Sequence, residues 1–259
     1  MKPEAHRQLN SRQSQMLNLI SREGEVRIAE LRESFPVTEM TIRRDLEKLE
    51  ETGVVKRTFG GAIFVGQDLA LKERTGILTD EKIRIGRKAA SLVHPGDSLF
   101  LDGGTTTLQV ARYLPSDQKL TVVTNALNVA QELTARGIPT TITGGTLLES
   151  TLSLVGPIAV QNLSSMAFDL VFLGATGIDA EHGFSNSNFY EAEIKSFAIR
   201  QAAEAVVVLD HTKFGARALA SFSPLKGVGR IVTDELPEEA LFQTCKENGV
   251  QVEVADRHQ

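Results

Sequence analysis

The stretch Val37-Thr38-Glu39-Met40-Thr41-Ile42-Arg43-Arg44-Asp45-Leu46-Glu47-Lys48-Leu49-Glu50 decides how the N-terminal part of the chain is read. Ile42, Leu46 and Leu49 recur at i, i+4 and i+7, which is one apolar stripe along a helix. Thr38 has the hydroxyl of a good N-cap, and Gly53 is a stop. The opposite face carries Glu39, Met40, Thr41, Arg43 and Arg44 near the N-terminal end. Working outward, Met16, Leu17 and Ile20 place an earlier helix, capped by Ser11 and ended by Gly24. A short helix from about Ile28 to Ser34 follows, with Leu31 inward, and Pro36-Val37 makes a turn. After Gly53, Val54–Phe59 reads as a strand that turns at Gly60-Gly61. Short helices with a tight turn before the last one form a helix-turn-helix arrangement. In such a motif the N-terminal end of the last helix reads bases, so Thr38, Glu39, Met40, Thr41, Arg43 and Arg44 are the candidate contacts. Lys56 and Arg57 on the hairpin would lie along the phosphates, as a wing does. The plainer alternative is a small helical bundle with surface arginines. Asp45 is read as structural, orienting a nearby Arg or pairing with Lys48 at i+3.

Beyond about Ala62 the pattern changes. Residues 63–80 show no sustained periodicity and are expected to be a linker. From there, apolar runs alternate with helical segments. The runs are Ser98–Leu101, Leu120–Thr124, Thr140–Thr143, Asp169–Leu173 and Ala205–Leu209, with a last strand–helix–strand set near 230–233, 237–247 and 250–254. The helical segments lie at 81–93 and near 106–114, 126–136, 157–164 and 190–203. Such alternation predicts an α/β fold, a doubly wound, largely parallel sheet. The expected division is 1–62 for the helix-turn-helix and its hairpin, 63–80 as linker and 81–259 for the α/β part.

Asp102-Gly103-Gly104-Thr105-Thr106-Thr107 follows a strand and opens a helix. Glycines let backbone N–H groups crowd one point, the helix N-terminus adds partial positive charge, and hydroxyls donate hydrogen bonds; together these suit a phosphate. The Gly-Lys-Ser/Thr ending of a nucleotide P-loop is missing. Other strand ends are also small or polar: Thr124-Asn125, Gly144-Gly145, Gly174-Ala175-Thr176-Gly177 and Asp210-His211-Thr212-Lys213. In an open parallel sheet these ends line one crevice, where ligands bind. Glu191 and Lys195 stand at i, i+4 after a polar loop, Phe184–Asn188. They form either a solvated ion pair or a Lys for an anionic group with a Glu for hydroxyls. The bland alternative for the Gly turn is a turn with Thr caps.

The 259 residues carry a net charge of −5, which speaks weakly against nucleic acid. The charge is uneven, however. Residues 1–62 hold 11 Lys and Arg against 10 Asp and Glu, whereas the rest holds 17 against 23. The small N-terminal part is therefore free to approach a polyanion. A single Cys excludes an intramolecular disulfide and a Cys-based zinc site. With no apolar leader and no run of the ~18 apolar residues a membrane helix needs, a cytoplasmic location and no membrane partner are expected. His182, His211 and Cys245 are read as structural or exposed, and no cofactor or metal is called for.

The run 37–50, followed by Gly53, Arg57 and Phe59-Gly60-Gly61-Ala62, closely resembles the DeoR family of bacterial transcription regulators. Its hallmark Thr-Ile-Arg-Arg-Asp-Leu is present, with the Leu-Glu, the Gly and the Gly-Gly-Ala wing end. Thr38 stands where the family usually has Ser and keeps the capping hydroxyl. Phe59 stands where it usually has His, so a phosphate contact by that His is not carried over. The larger part is similar to the family's sensor domain, itself related to ribose-5-phosphate isomerase. Asp102–Thr107, Thr124-Asn125, Gly144-Gly145, Phe172–Ala175, Glu191–Lys195 and Asp210–Lys213 match its motifs in order. The resemblance implies a repressor of a carbohydrate operon that binds double-stranded operator DNA and is released by a phosphorylated sugar. The effector would be held by Asp102, Gly103, Gly104, Thr105, Thr106, Thr107, Thr124, Asn125, Gly144, Gly145, Gly174, Glu191, Lys195, Asp210 and Lys213. Spanning two half-sites needs a homo-oligomer, dimer or tetramer. The competing expectation is a sugar-phosphate isomerase with an appended DNA module, Glu191 acting as base and Lys195 as phosphate or oxyanion partner.

Overall fold

The computed structural model describes residues 9–23, 25–51, 55–58, 60–64 and 71–256. The expectations placed on Gly24, Gly53, Val54, Phe59 and the Lys56 side chain lie outside the described residues. The chain forms two units, Met1–Ile77 and Leu78–Gln259.

The first unit runs α1 (Ser11–Glu23), β1 (Glu25–Arg27), α2 (Ile28–Ser34), α3 (Glu39–Glu51), β2 (Val55–Arg57), β3 (Gly61–Phe64) and α4 (Leu71–Arg74). Met16, Ile20, Leu31, Ile42 and Leu49 are fully buried, so the apolar stripe read from the sequence is the core. Thr38 caps α3, accepting the Thr41 N–H at 3.3 Å. The cap of α1 is Asn10 rather than Ser11. Asn10 Oδ1 accepts the Gln13 N–H at 2.9 Å, and Gln13 Oε1 accepts the Asn10 N–H at 3.0 Å. This reciprocal box places the cap one residue earlier. The hairpin is also a three-stranded antiparallel sheet, ordered β1-β3-β2. At three residues, β1 is too short to show alternation. Gly61 is required there, since a Cβ would stand 1.9 Å from the Val26 carbonyl oxygen. The stretch expected as linker holds the end of β3, α4 and the start of the next helix.

Asp45 is structural, with different partners from those expected. It is buried, receives Arg12 Nε at 2.7 Å and Gln13 Nε2 at 2.8 Å, and so fastens α3 to α1. Lys48 is exposed, whereas the Asp45 side chain faces the core.

The second unit begins with α5 (Thr79–Ala90), β4 (Ser98–Leu101), α6 (Thr105–Tyr113), β5 (Thr121–Thr124), α7 (Leu127–Ala135) and β6 (Thr140–Ile142). It continues with β7 (Thr146–Leu148), β8 (Ser153–Val155), α8 (Pro157–Ser164), β9 (Phe168–Gly174), β10 (Gly177–Asp179) and β11 (Gly183–Asn186). It closes with α9 (Phe189–Arg200), β12 (Ala202–Val208), β13 (Ala220–Ser223), β14 (Arg230–Thr233), α10 (Glu239–Glu247) and β15 (Gln251–Val254). Seven parallel strands form one sheet, ordered β15-β14-β12-β9-β4-β5-β6. Successive side chains alternate between its faces. Phe100, Val171 and Val207 join the core under α8 and α9, whereas Leu99, Leu101, Phe172 and Val206 join the core under α5, α6 and α7. Both faces are covered, which is why these strands read as continuous apolar runs.

Two expectations are corrected. The stretch read as a polar loop, 184–188, begins in β11, whose residues are all buried because it lies between β10 and β13. Ser185 and Asn186 are polar, so the stretch shows no apolar run. The helix expected to reach 203 ends at Arg200, since β12 begins at Ala202. Cys245 is buried, and burial pushes its thiol up to about 11, as an inert core residue requires.

Asp45→Ala leaves the Gln13 amide unpaired in the core. It should cost the first unit about 1–3 kcal/mol of local stability. Hydrogen exchange of the α1 amides in the full chain measures this; exchange as slow as the parent's would show that Asp45 does not hold α1.

Candidate functional site

In the first unit, Glu39, Met40, Arg43 and Arg44 of α3 are exposed. Arg43 is bridged to Glu39, with Nε 3.0 Å from Oε1. Thr38 and Thr41 share a hydroxyl hydrogen bond of 2.9 Å at the start of α3. Arg57 on β2 is held by Glu50, Nε to Oε2 at 2.6 Å. Arg43 and Arg57 line one groove of about 260 Å3 together with Glu50, Thr58 and Gly61. They therefore occupy the same side of the unit. Arg44 lies outside that groove's lining, exposed near the N-terminal end of α3.

In the second unit, strand order reverses at β4. From β4 the chain winds through β5 to β6, then returns to β9 on the other side of β4 and winds outward through β12. Adjacent loops diverge at such a point and leave a crevice beyond the carboxyl ends of the strands. Asp102 stands there. Its N–H bonds the Phe172 carbonyl at 3.0 Å, and its Oδ2 accepts the Gly174 N–H at 3.2 Å. The same oxygen receives Lys195 Nζ from α9. Both side chains are almost fully buried. Burial pushes the Asp102 carboxyl above the usual carboxylate range, with Lys195 pulling the other way and Glu191 adding to the rise. Lys195 Nζ also lies 5.7 Å from the Phe222 ring centre.

One turn earlier on α9, Glu191 accepts Asn186 Nδ2 at 2.8 Å. Asn188 caps the helix, accepting the Tyr190 N–H at 2.9 Å and the Glu191 N–H at 3.2 Å. Gly103 and Gly104 lead into α6, whose first turn holds Thr105, Thr106 and Thr107, all buried. A Cβ on Gly103 would stand 2.2 Å from Ser153 Oγ, so the backbone approaches β8 as only glycine allows. The Thr107 hydroxyl is turned inward to the Gly104 carbonyl at 3.2 Å.

Thr124 proves to be a strand fastener. Its hydroxyl donates to the Leu101 carbonyl at 2.6 Å and accepts the Ala126 N–H at 3.1 Å. Asn125 is different. It is fully buried at the level of Asp102, and its Oδ1 finds no hydrogen-bond partner among the described residues. A buried orphan acceptor of this kind is costly unless a ligand or water supplies a donor. Gly144 and Gly145 follow β6; a Cβ on Gly145 would stand 2.6 Å from the Val155 carbonyl oxygen. Asp210, at the end of β12, accepts the Thr212 N–H at 3.1 Å. Burial opposes its charge, but Lys213 and Lys82 hold the carboxyl below the usual range.

Direct contact thus joins Asp102, Gly174 and Lys195 from three distant parts of the sequence. The ends of β6 and β12 lie further out along the same edge. Sequence reasoning missed Lys82, Asn186, Ser153 and Asp234. Lys82 had left a signal, a lysine on the same helical stripe as Ile85, Gly86 and Ala89. His211, read as structural, donates its backbone N–H to Asp234 Oδ1 at 2.7 Å and pairs Nδ1 with Oδ2 at 2.7 Å.

Two family models match the chain. The DeoR-like helix-turn-helix domain matches residues 12–68, and the DeoR C terminal sensor domain matches residues 78–235. The uncharacterized HTH-type transcriptional regulator YulB of Bacillus subtilis (strain 168) is 35% identical over 245 residues, 93% of this chain and 95% of that protein. The glycerol-3-phosphate regulon repressor of Escherichia coli (strain K12) is 31% identical over 246 residues, 94% of this chain and 98% of that protein. Among solved structures, the translation initiation factor eIF-2B of Pyrococcus horikoshii OT3 aligns with a TM-score of 0.50 over 87% of this chain and 90% of that one. At 12% identity, that likeness is one of fold.

The Asp234 contact raises the His211 imidazole above its ordinary 6.5, against the effect of burial, and Asp210 and Glu235 add to the rise. A raised base contributes stability that is complete below about 6.5 and is lost as pH climbs through the folded-state value. The parent's melting temperature should therefore fall across that window by more than that of His211→Gln. Parallel curves for the two proteins would show that Asp234 does not hold the proton.

Proposed function

This chain belongs to the DeoR family of transcription regulators, and on that premise we propose that it represses a carbohydrate catabolic operon and is released by a phosphorylated sugar. Residues 1–62 bind double-stranded operator DNA. Thr38, Glu39, Met40, Thr41, Arg43 and Arg44 are offered to base edges, and Lys56 and Arg57 to phosphates. A single head of this size binds weakly, so at least a homodimer spans two half-sites in the cytoplasm. Residues 81–259 sense the effector, and 63–80 link the parts.

The observation that carries the effector assignment is the Gly103–Thr107 turn at the reversal of the sheet, flanked by the buried Asp102–Lys195 pair and the orphaned Asn125 Oδ1. The turn suits a phosphate. Asn125, Glu191 and Lys195 offer an acceptor, a carboxylate and a cation to the hydroxyls and carbonyl of a sugar. The glycerol-3-phosphate regulon repressor carries a phosphorylated polyol in its name, which is the same chemical class. An effector can act only through unequal affinity for the DNA-competent and incompetent arrangements.

Two outcomes test this. Arg43→Ala and Arg44→Ala should weaken binding to duplex DNA selected by the parent from a random library, at fixed salt, by about 1–3 kcal/mol where the arginine reads a base. Parent-like binding by both variants would remove α3 from the interface. At Gly104 an added Cβ meets only the Thr107 hydroxyl, at 3.0 Å, but φ is +159°, which strains any side chain, so Gly104→Asp is read on protein whose melting curve shows it folded. Its carboxylate would then occupy the phosphate position. DNA binding should survive, and release by any active member of a sugar-phosphate panel should be lost. Release at the parent's concentration would place the phosphate elsewhere.

A further inference from the structure

We propose that Lys82 is a cation of the effector site, and that through it a bound phosphate acts on the helix that starts at the junction of the two units. This rests on the reading of the Gly103–Thr107 turn as a phosphate cradle. Lys82 belongs to α5 and is only 5% exposed. It shares its helical face with Ile85 and Ala89, which are fully buried. An ammonium in such a place is costly unless opposite charge compensates it. The Lys82 charge, after that of Lys213, helps to hold the buried Asp210 carboxyl at the end of β12 below its usual range.

The level of Lys82 in the fold follows from helix packing. α5 leads down to the start of β4 and α6 leads down from its end, so both helices begin at the carboxyl edge of the sheet. They touch where Gly86 meets Gln109; a Cβ on Gly86 would stand 2.4 Å from Gln109 Cβ. Four residues before each partner are Lys82 and Thr105, the latter being the first residue of α6. Lys82 is therefore level with the opening of α6, on a helix that packs against both α6 and β12, and only β9 separates β12 from β4. The orphaned Asn125 Oδ1, on the other side of Asp102, is an independent sign that a ligand completes this edge.

The position of Lys82 along the chain supplies the second half of the inference. Its own N–H makes the first hydrogen bond of α5, to the Leu78 carbonyl at 3.0 Å. Leu78 has φ 48° and ψ 47°, the left-handed region, which strains a residue with a side chain. The second unit begins at this residue. A phosphate in the cradle competes with Asp210 for the Lys82 ammonium. That exchange falls one helical turn from a strained junction, where a small change of energy selects between backbone arrangements.

The test uses the full chain, with inorganic phosphate as probe. Melting temperature is measured against phosphate concentration for the parent, Lys82→Met, Lys82→Arg, Lys82→Gln and Gly104→Asp. Hydrogen exchange is followed across 79–86. The parent should be stabilised by phosphate and its α5 amides slowed. Lys82→Met should need about tenfold more phosphate and show no slowing, as expected for loss of one charge-assisted contact, while Lys82→Arg stays near the parent. A folded Lys82→Met that responds like the parent while Gly104→Asp does not would overturn the role of Lys82 and leave the cradle standing. Indifference of the parent to phosphate would remove the cradle and this inference together. Should Lys82→Met fail to fold, a folded Lys82→Gln with the parent's response overturns the proposal equally, and a tenfold loss supports it.

Discussion

The buried Asp102–Lys195 pair depends on one topological constraint, the reversal of winding at β4. A right-handed crossover puts α6 and α7 on one face and α8 and α9 on the other only if the chain changes direction along the sheet. That change leaves β4 and β9 side by side, with their following loops parted. Asp102 at the end of β4 is then bonded to the backbone of β9 through Phe172 and Gly174. α9, arriving from the far face, brings Lys195 to the same carboxylate. Two charges out of water at one point would be expensive apart; paired and bonded to backbone they are tolerable. Removing either leaves an uncompensated charge, at a cost of about 3–5 kcal/mol. The pair thus holds α9 to β4 at the place where a ligand is expected.

A polar crevice at the edge of an apolar sheet has to satisfy its own groups first. Thr124, Thr107, Asn186 and Asp210 spend hydroxyls, amides or carboxylates on neighbours within the protein. These contacts set the shape of the site without offering those atoms to a ligand. Asn125 Oδ1 departs from the pattern, and so do the N–H groups that any helix N-terminus leaves over at the start of α6. The chemistry left to a ligand is therefore narrow. It includes the N–H groups of the turn and the Asn125 acceptor.

The first unit solves a different problem, that of holding a small helix in place on a modest core. Asp45 lies in the middle of the most basic part of α3, beside Arg43 and Arg44. A carboxylate exposed there would repel DNA. Its side chain turns inward to Arg12 and Gln13, so its charge leaves the exposed face of α3 and ties α1 to α3. Glu39 pairs with Arg43 and Glu50 with Arg57 on one side of the groove. Such exposed ion pairs contribute little to stability.

The sequence by itself determined the elements whose periodicity exceeds a turn or a strand. The stripe Ile42, Leu46, Leu49 predicted α3, and the alternation of apolar runs with helices predicted the doubly wound sheet, because repeating burial imposes a repeating pattern. Asp102–Thr107 predicted a turn from a strand into a helix, because glycines followed by hydroxyl residues suit a helix start. What the tertiary structure decided was who meets whom. β1 and β11 are strands because of the partners beside them, and their few residues carry no pattern of their own. Asn10 rather than Ser11 caps α1, since a reciprocal bond with Gln13 outcompetes a single hydroxyl. Lys195 reaches Asp102 across 93 positions of sequence, and Asp45 reaches Arg12 across 33. Lys82 comes within electrostatic reach of Asp210 although they stand far apart in sequence. Local sequence encodes backbone preference and burial period; pairings at such separations depend on how the sheet is wound, which only the folded chain settles.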